Sequence, residues 1–249
     1  MIHDMVALVW LDPGDPFPPT RHALDDPDGL LCAGADLSVD TLRRAYSKGI
    51  FPWYSDDQPI LWWTPSPRMV LQPGQFHTSR SLRKHLRKTD WHISVDQHFE
   101  EVVTHCANTP RAGQPGTWIT DEMQEAYLDF HQAGYAHSIE VLEDGKLVGG
   151  LYGVCLGQVF FGESMFSHTD NASKTALWFL CALAGARFDI RLIDCQMQTS
   201  HLAMLGARPM PRNTFEQQLD ELQRQPNHGE WAAPSQDLAS WLRQYRLEP

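Results

Sequence analysis

Apolar and polar positions along the chain alternate between two periods, and the switches mark out its elements. Val6 to Leu11 predicts a strand, after which residues up to 36 show little periodicity and read as loops rich in Pro, Gly and Asp. Ser38 is suited to cap a helix whose apolar face is Leu42, Ala45 and Tyr46, with Gly49 as its stop, so a helix is expected over Val39 to Lys48. Ile60 to Thr64 predicts a short strand, and Met69 to Leu71 begins a new apolar run after Pro65-Ser66-Pro67. From Ser79 to Lys88 the period is helical again, and Trp91 to Val95 alternates like a strand. Phe99 to Cys106 and Asp121 to Gly134 read as helices, the second with Met123, Ala126, Tyr127 and Phe130 on one face. Ser138 to Leu142, the Asp144-Gly145 turn and Leu147 to Val154 form a hairpin, and Val159 to Gly162 extends it into a meander. Asn171 to Ala186 is apolar nearly all round, as a helix buried against a sheet would be. Ile190 to Cys195 is the next strand, followed by helices over Thr199 to Leu205 and Asn213 to Leu222. The polar stretch after Pro226 carries one more helical pattern, Leu238 to Tyr245. The class expected is α+β, with a small N-terminal domain over 1–67 and a larger one over 68–249.

Composition narrows the class of protein. The 249 residues are 42% hydrophobic and 20% charged, with a net charge of −11. That charge argues against indiscriminate coating of nucleic acid. No apolar run is long enough to cross a bilayer, and the first residues lack the basic region of a signal peptide. The five cysteines are scattered without a C-x-x-C pair, as expected of reduced cytosolic thiols. Within this acidic chain one segment is basic. On the helix after Ser79, Arg80, Arg83, Lys84, Arg87 and Lys88 fall within about 140° of arc, opposite Leu82 and Leu86. Such a face is either an ordinary solvated surface or a contact for phosphates.

Candidate chemistry gathers between Gln158 and Gln196. Two strand ends deliver Glu163 on one side and Asp194-Cys195-Gln196 on the other. In a regular strand Asp194 and Gln196 share a face, about 6–7 Å apart, and Cys195 points the other way into the core. A carboxylate so placed either orients the Gln196 amide, accepts a proton, or satisfies backbone N–H groups. The twelve His show no metal-ligand spacing, so no metal is expected. Ser173-Lys174-Thr175 lacks the glycines of a phosphate loop, and G-x-S-x-G is absent.

The stretches GLLCAGADLSVDTLRRAYSKGIFPWYSDDQPILWWTPSPR, GESMFS with NASKTAL, and LIDCQ with HLAMLGARPMPR resemble the leucyl/phenylalanyl-tRNA–protein transferases from about Gly29 to Leu222. The resemblance implies transfer of Leu or Phe, and Met more weakly, from aminoacyl-tRNA to proteins beginning with Arg or Lys, which enter N-end-rule degradation. It implies a second domain like the Gcn5-related acetyltransferases. The pyrophosphate loop of those enzymes is replaced by His168-Thr169-Asp170, so neither coenzyme A nor any other cofactor is expected. A monomeric cytoplasmic enzyme is expected.

By the same resemblance Asp194 polarises Gln196, whose carbonyl accepts a hydrogen bond from the attacking amine; a pure positioning role for both fits equally. Glu163 is expected to hold an amine, that of the aminoacyl group or that of the acceptor. Phe160, Met165, Leu177, Leu180 and Ile193 are implied as the side-chain pocket, with Leu180 and Ala184 standing where the family often has aromatic residues. Trp53 and Trp118 match tryptophans near the 3′-terminal adenosine, where stacking contributes about 1–3 kcal/mol per base. The basic helix suits an acceptor stem contacted through its phosphates. Two other readings remain at this level: an acyl-CoA-dependent N-acetyltransferase and a non-catalytic tRNA-binding module.

Overall fold

The computed structural model describes residues 8–109 and 119–249. Its strands form two sheets. The smaller has β1 (Val9–Leu11), β2 (Leu30–Gly34), β3 (Phe51–Pro52) and β4 (Leu61–Trp63), in the order β1-β2-β4-β3. The larger has β5 (Arg68–Leu71), β6 (His92–Val95), β7 (Ala136–Glu143), β8 (Lys146–Leu156), β9 (Val159–Ser167), β10 (Leu192–Gln196), β11 (Arg208–Met210) and β12 (Ala233–Asp237). Their order is β11-β5-β10-β9-β8-β7-β6-β12. Only β9 and β10 run parallel in it; the other neighbours are antiparallel.

The helices are α1 (Val39–Tyr46), α2 (Arg80–Leu86), α3 (Phe99–Asn108), α4 (Asp121–Gln132), α5 (Ala172–Leu183), α6 (Ser200–Met204), α7 (Arg212–Gln223) and α8 (Leu238–Tyr245). Side-chain caps start several of them: the oxygens of Ser38, Ser79, Thr120, Thr199 and Asp237 each accept a first-turn backbone N–H. The α+β class is as the pattern predicts.

The large sheet has an apolar core on each face. On one, α5 lies with α2, α6 and α8 over Ile93, Ile139, Leu151, Phe160 and Ile193. A Cβ at Gly149 would come within 2.4 Å of Ala172 Cβ, so the missing side chain lets α5 settle on β8. On the other face, α1, α3, α4, α7 and the small sheet pack over Val70, Tyr152, Val154 and Phe161. The small sheet therefore shares a core with the large one.

Several expectations are corrected. Leu30 to Gly34, read as loop, is the inner strand β2; its residues are held by pairing with β1 and β4, which local composition does not reveal. The strand read as ending at Gly162 continues to Ser167. Polar Arg208–Met210 and Ala233–Asp237 are strands because β5 and β6 offer them open edges.

Candidate functional site

The large sheet opens where β9 and β10 part. Their parallel pairing runs Leu192 to Val159, Ile193 to Phe160 and Asp194 to Phe161, and stops. Immediately beyond, each strand carries an extra residue. On β9, Glu163 lies between Gly162 and Ser164, which pair with Gly153 and Tyr152. On β10, Cys195 lies between Asp194 and Gln196, which pair with Val70 and Met69. A bulge bends its strand and re-aims a side chain. Gln196 adopts φ +60°, in the left-handed region that few residues with a side chain enter.

This geometry brings Gln196 and Glu163 together. Gln196 Nε2 donates to Glu163 Oε1 at 2.7 Å, and the Tyr127 hydroxyl on α4 donates to Oε2 at 2.8 Å. The hydroxyls of Tyr127 and Tyr46 lie 2.5 Å apart. Since the Tyr127 proton is directed at the carboxylate, Tyr46 is the donor of that bond. All four side chains are buried. Burial pushes the Glu163 carboxyl up to about 7, although the tyrosine and amide donors pull it down. Burial, then the Glu163 charge, holds both tyrosines well above their ordinary range.

An ionised carboxylate only accepts, so it fixes which end of the Gln196 amide faces it. The carbonyl Oε1 is thereby turned away, and no donor among the described residues reaches it. Gln196 lines a cavity of about 250 Å³, walled mainly by apolar groups including Phe51, Leu151 and Leu202. An apolar cavity of about 150 Å³ accommodates a benzene ring. Room for a Leu or Phe side chain is therefore present.

The expected residues fall into place unevenly. Trp53, Phe160, Met165, Leu177 and Ile193 line this cavity with Glu163 and Gln196. Leu180 does not; it is fully buried inside the α5 packing, one turn behind Leu177. Trp118 lies outside the described residues. Asp194 makes no contact with the Gln196 amide, contrary to the polarising role expected for it. It accepts instead the Gln196 backbone N–H at 2.8 Å, because the left-handed turn swings that N–H onto it and the side chain toward Glu163. The Asp194 carboxylate is also gripped by Arg68, Nε to Oδ1 at 2.8 Å and Nη2 to Oδ2 at 2.6 Å, and both residues are fully buried. Cys195, expected to face the core, lines the cavity because the bulge breaks the alternation. Sequence reasoning missed Arg68, Tyr46 and Tyr127 as polar parts of the site. The two tyrosines had shown themselves only as core positions.

The helix ends at Leu86, so Arg80, Arg83 and Lys84 lie on α2 while Arg87 caps it and Lys88 follows in the turn; all five cations are exposed, and Leu82 and Leu86 are buried. None of the five enters an ion pair among the described residues. The segment entering α2 is tied to α6 by a hydrogen bond from His77 N–H to Leu205 O at 2.9 Å, and α6 supplies Leu202 to the cavity. Elsewhere, Asp96, His131 and His137 bring possible ligand atoms within 4.8 Å of one another. Their present bonds are internal: Asp96 accepts from Ser138 N–H and pairs with His137 Nδ1, and His131 Nδ1 meets Ala136 O.

Comparison with known proteins identifies the family. Residues 70–220 match the model of leucyl/phenylalanyl-tRNA protein transferase, and residues 35–66 that of its N-terminal domain. The chain belongs to the leucyl/phenylalanyl-tRNA protein transferase family. It is therefore an enzyme of the transferase class. Its relatives named leucyl/phenylalanyl-tRNA–protein transferase include one from Saccharophagus degradans, 54% identical over 98% of this chain and 97% of that protein. Another, from Alcanivorax borkumensis, is 53% identical over 89% and 92%. Among solved structures, a GCN5-related N-acetyltransferase from Kribbella flavida covers 66% of this chain and 57% of its own, with 9% identity and a TM-score of 0.36. A protein of unknown function from Bacteroides thetaiotaomicron covers 68% and 84%, with 12% identity and a TM-score of 0.43.

Proposed function

We propose that this transferase moves Leu or Phe from aminoacyl-tRNA to the α-amino group of proteins beginning with Arg or Lys, by direct aminolysis of the aminoacyl ester. The observation that carries the reading is the Glu163–Gln196 hydrogen bond, which presents Gln196 Oε1 at an apolar cavity of side-chain size. The Leu or Phe side chain fills that cavity, between Phe160, Met165, Leu177 and Ile193. The terminal adenosine lies against Trp53, at the cavity rim. A neutral acceptor amine then attacks the ester carbonyl while one of its N–H groups donates to Gln196 Oε1. The new C–N bond forms, the bond to the ribose oxygen breaks, and the proton from nitrogen leaves with the ribose as its hydroxyl. Holding the two reactants in line supplies much of the acceleration.

Glu163 acts through its two oxygens: one orients the Gln196 amide and the other is held by Tyr127. Asp194 acts one step further back, on the backbone of Gln196. The exposed cations of α2 carry the acceptor stem through its phosphates. Two acidic residues suit a cationic acceptor side chain: Asp56, close to Trp53 along the chain, and Glu122, which accepts from the Tyr54 hydroxyl and lines one hollow with Asp56. The ester is already activated, so the reaction needs neither coenzyme A nor another cofactor. No helix among the described residues is long and apolar enough to cross a membrane, and the substrates place the reaction in the cytoplasm, where a monomer suffices. The test is transfer of radiolabelled Phe or Leu from charged tRNA to a peptide beginning with Arg, beside one beginning with Ala. Label on the Arg peptide alone is expected; equal labelling, or none, overturns the reading.

A further inference from the structure

Arg68 and Asp194 are outside the reactant cavity, yet their pair is the most deeply buried ionic contact near it, at 0% exposure for both side chains. Burying two charges is expensive, and apolar residues of similar volume often pack as well or better. What the carboxylate touches next supplies a reason for keeping the pair. Asp194 Oδ1 takes both Arg68 Nε and the Gln196 backbone N–H, each at 2.8 Å. The second bond spans the bulge at Cys195 and ends on the residue at φ +60°. The guanidinium itself lies with its carbon over two rings, 4.8 Å from the centroid of Phe51 and 4.8 Å from that of Phe215. Its Nη1 has no hydrogen-bond partner among the described residues, so the carboxylate and the two rings define its position.

We propose that Arg68 is a positioning residue for the transfer reaction. Through the Asp194 carboxylate it holds Gln196 in its left-handed conformation, and so holds Gln196 Oε1 where the attacking amine must meet it. The inference rests on the role given to Gln196 under the proposed function. Arg68 touches no reactant. Its planar fork fixes the plane of the carboxylate, which a lysine ammonium, a point donor on a flexible stem, leaves free to turn. Phe51 also lines the cavity and Phe215 comes from α7, so the same clamp ties the small sheet and α7 to the reacting centre.

The experiment is a double-mutant cycle on transfer of Phe from charged tRNA to an Arg-initial peptide, with Arg68→Lys and Gln196→Ala made singly and together. For each protein kcat, KM for charged tRNA and the thermal unfolding midpoint are recorded. Arg68→Lys is expected to leave KM within about twofold and to lower kcat about 10- to 100-fold, as for an ångström-scale misplacement. In the Gln196→Ala background the same substitution is expected to change kcat by less than about twofold, because groups acting as a unit are not additive. An equal fall in both backgrounds, a change in KM alone, or wild-type kcat in Arg68→Lys overturns the proposal while leaving the role of Gln196 standing. Wild-type kcat in Gln196→Ala overturns that role, and the present proposal with it. If Arg68→Lys does not fold, Phe215→Leu loosens the guanidinium while keeping the ion pair, and the same cycle decides: a fall only where Gln196 is present supports the proposal, a fall in both overturns it.

Discussion

Glu163→Gln should stabilise the protein at neutral and alkaline pH while disturbing little of its shape. The glutamine carbonyl can still accept from Gln196 Nε2, and its amide can donate to the Tyr127 oxygen once the tyrosine pair reverses its donor order. What the substitution removes is a buried charge. In the folded protein this carboxyl titrates at about 7, against an ordinary 4.5, chiefly because burial disfavours the ionised form. Between those two values the folded chain binds a proton that the unfolded chain has released. Stability therefore falls as pH rises. The contribution is fully present below about 4.5 and lost as pH passes through about 7. A displacement of that size corresponds to about 3 kcal/mol. For a chain of this length 1 kcal/mol moves the unfolding midpoint by about 2–4 °C. The midpoint of Glu163→Gln should thus exceed that of the natural protein by on the order of 6–12 °C at pH 8. The gap should close toward pH 5. Thermal unfolding of both proteins from pH 5 to 8.5 measures it. A gap that stays flat across that range would refute the argument, since only titration of this carboxyl makes it pH-dependent.

Three further outcomes are expected. Tyr127→Phe removes a donor that favours the ionised carboxylate, so the midpoint of the stability curve just described should move above about 7; an unchanged or lower midpoint counts against the Tyr127–Glu163 bond. Reversing Arg83, Lys84 and Arg87 to Glu should weaken tRNA binding and make the log–log salt dependence shallower by about 2–3 in slope, and unchanged affinity at low salt would remove α2 from the interface. Leu180→Phe should press on Leu177 from behind, cost about 1–3 kcal/mol by overpacking, and shift the preference from Phe toward Leu in paired transfer assays.

Legibility from sequence followed the range of the interaction. The Asp144-Gly145 hairpin was readable because both residues take positive φ, a property of the dipeptide itself. The α8 helix was readable from its own period, and α5 from its unbroken apolar run. Strands β11 and β12 were not, because Arg-Pro-Met and Ala-Pro-Ser-Gln-Asp carry no strand pattern and owe their state to the partner edge. In the site, Glu163 and Gln196 stood out as polar residues at strand ends. The two bulges that make them meet left no mark, and a strictly alternating strand gave Cys195 and the Asp194 carboxylate the wrong surroundings. Arg68 was the least readable. Nothing in Arg-Met-Val-Leu separates a buried arginine from a surface one, and its partner lies far along the chain at Asp194.

The pairing of β12 with β6 has a consequence for how the protein is made. Ala233 lies opposite Val95, and Asp237 opposite His92. The meander is complete long before β12 leaves the ribosome, so a nascent chain carries β6 with a bare row of N–H and C=O groups. Such an edge is a template for another strand. Any ribosome stalled between Ser167 and Ala233 would display it, beside apolar Ile93 and Val95. Arrested or C-terminally clipped chains should therefore be the ones that clump, and a newly made enzyme depends on its final strand to stay apart from its siblings.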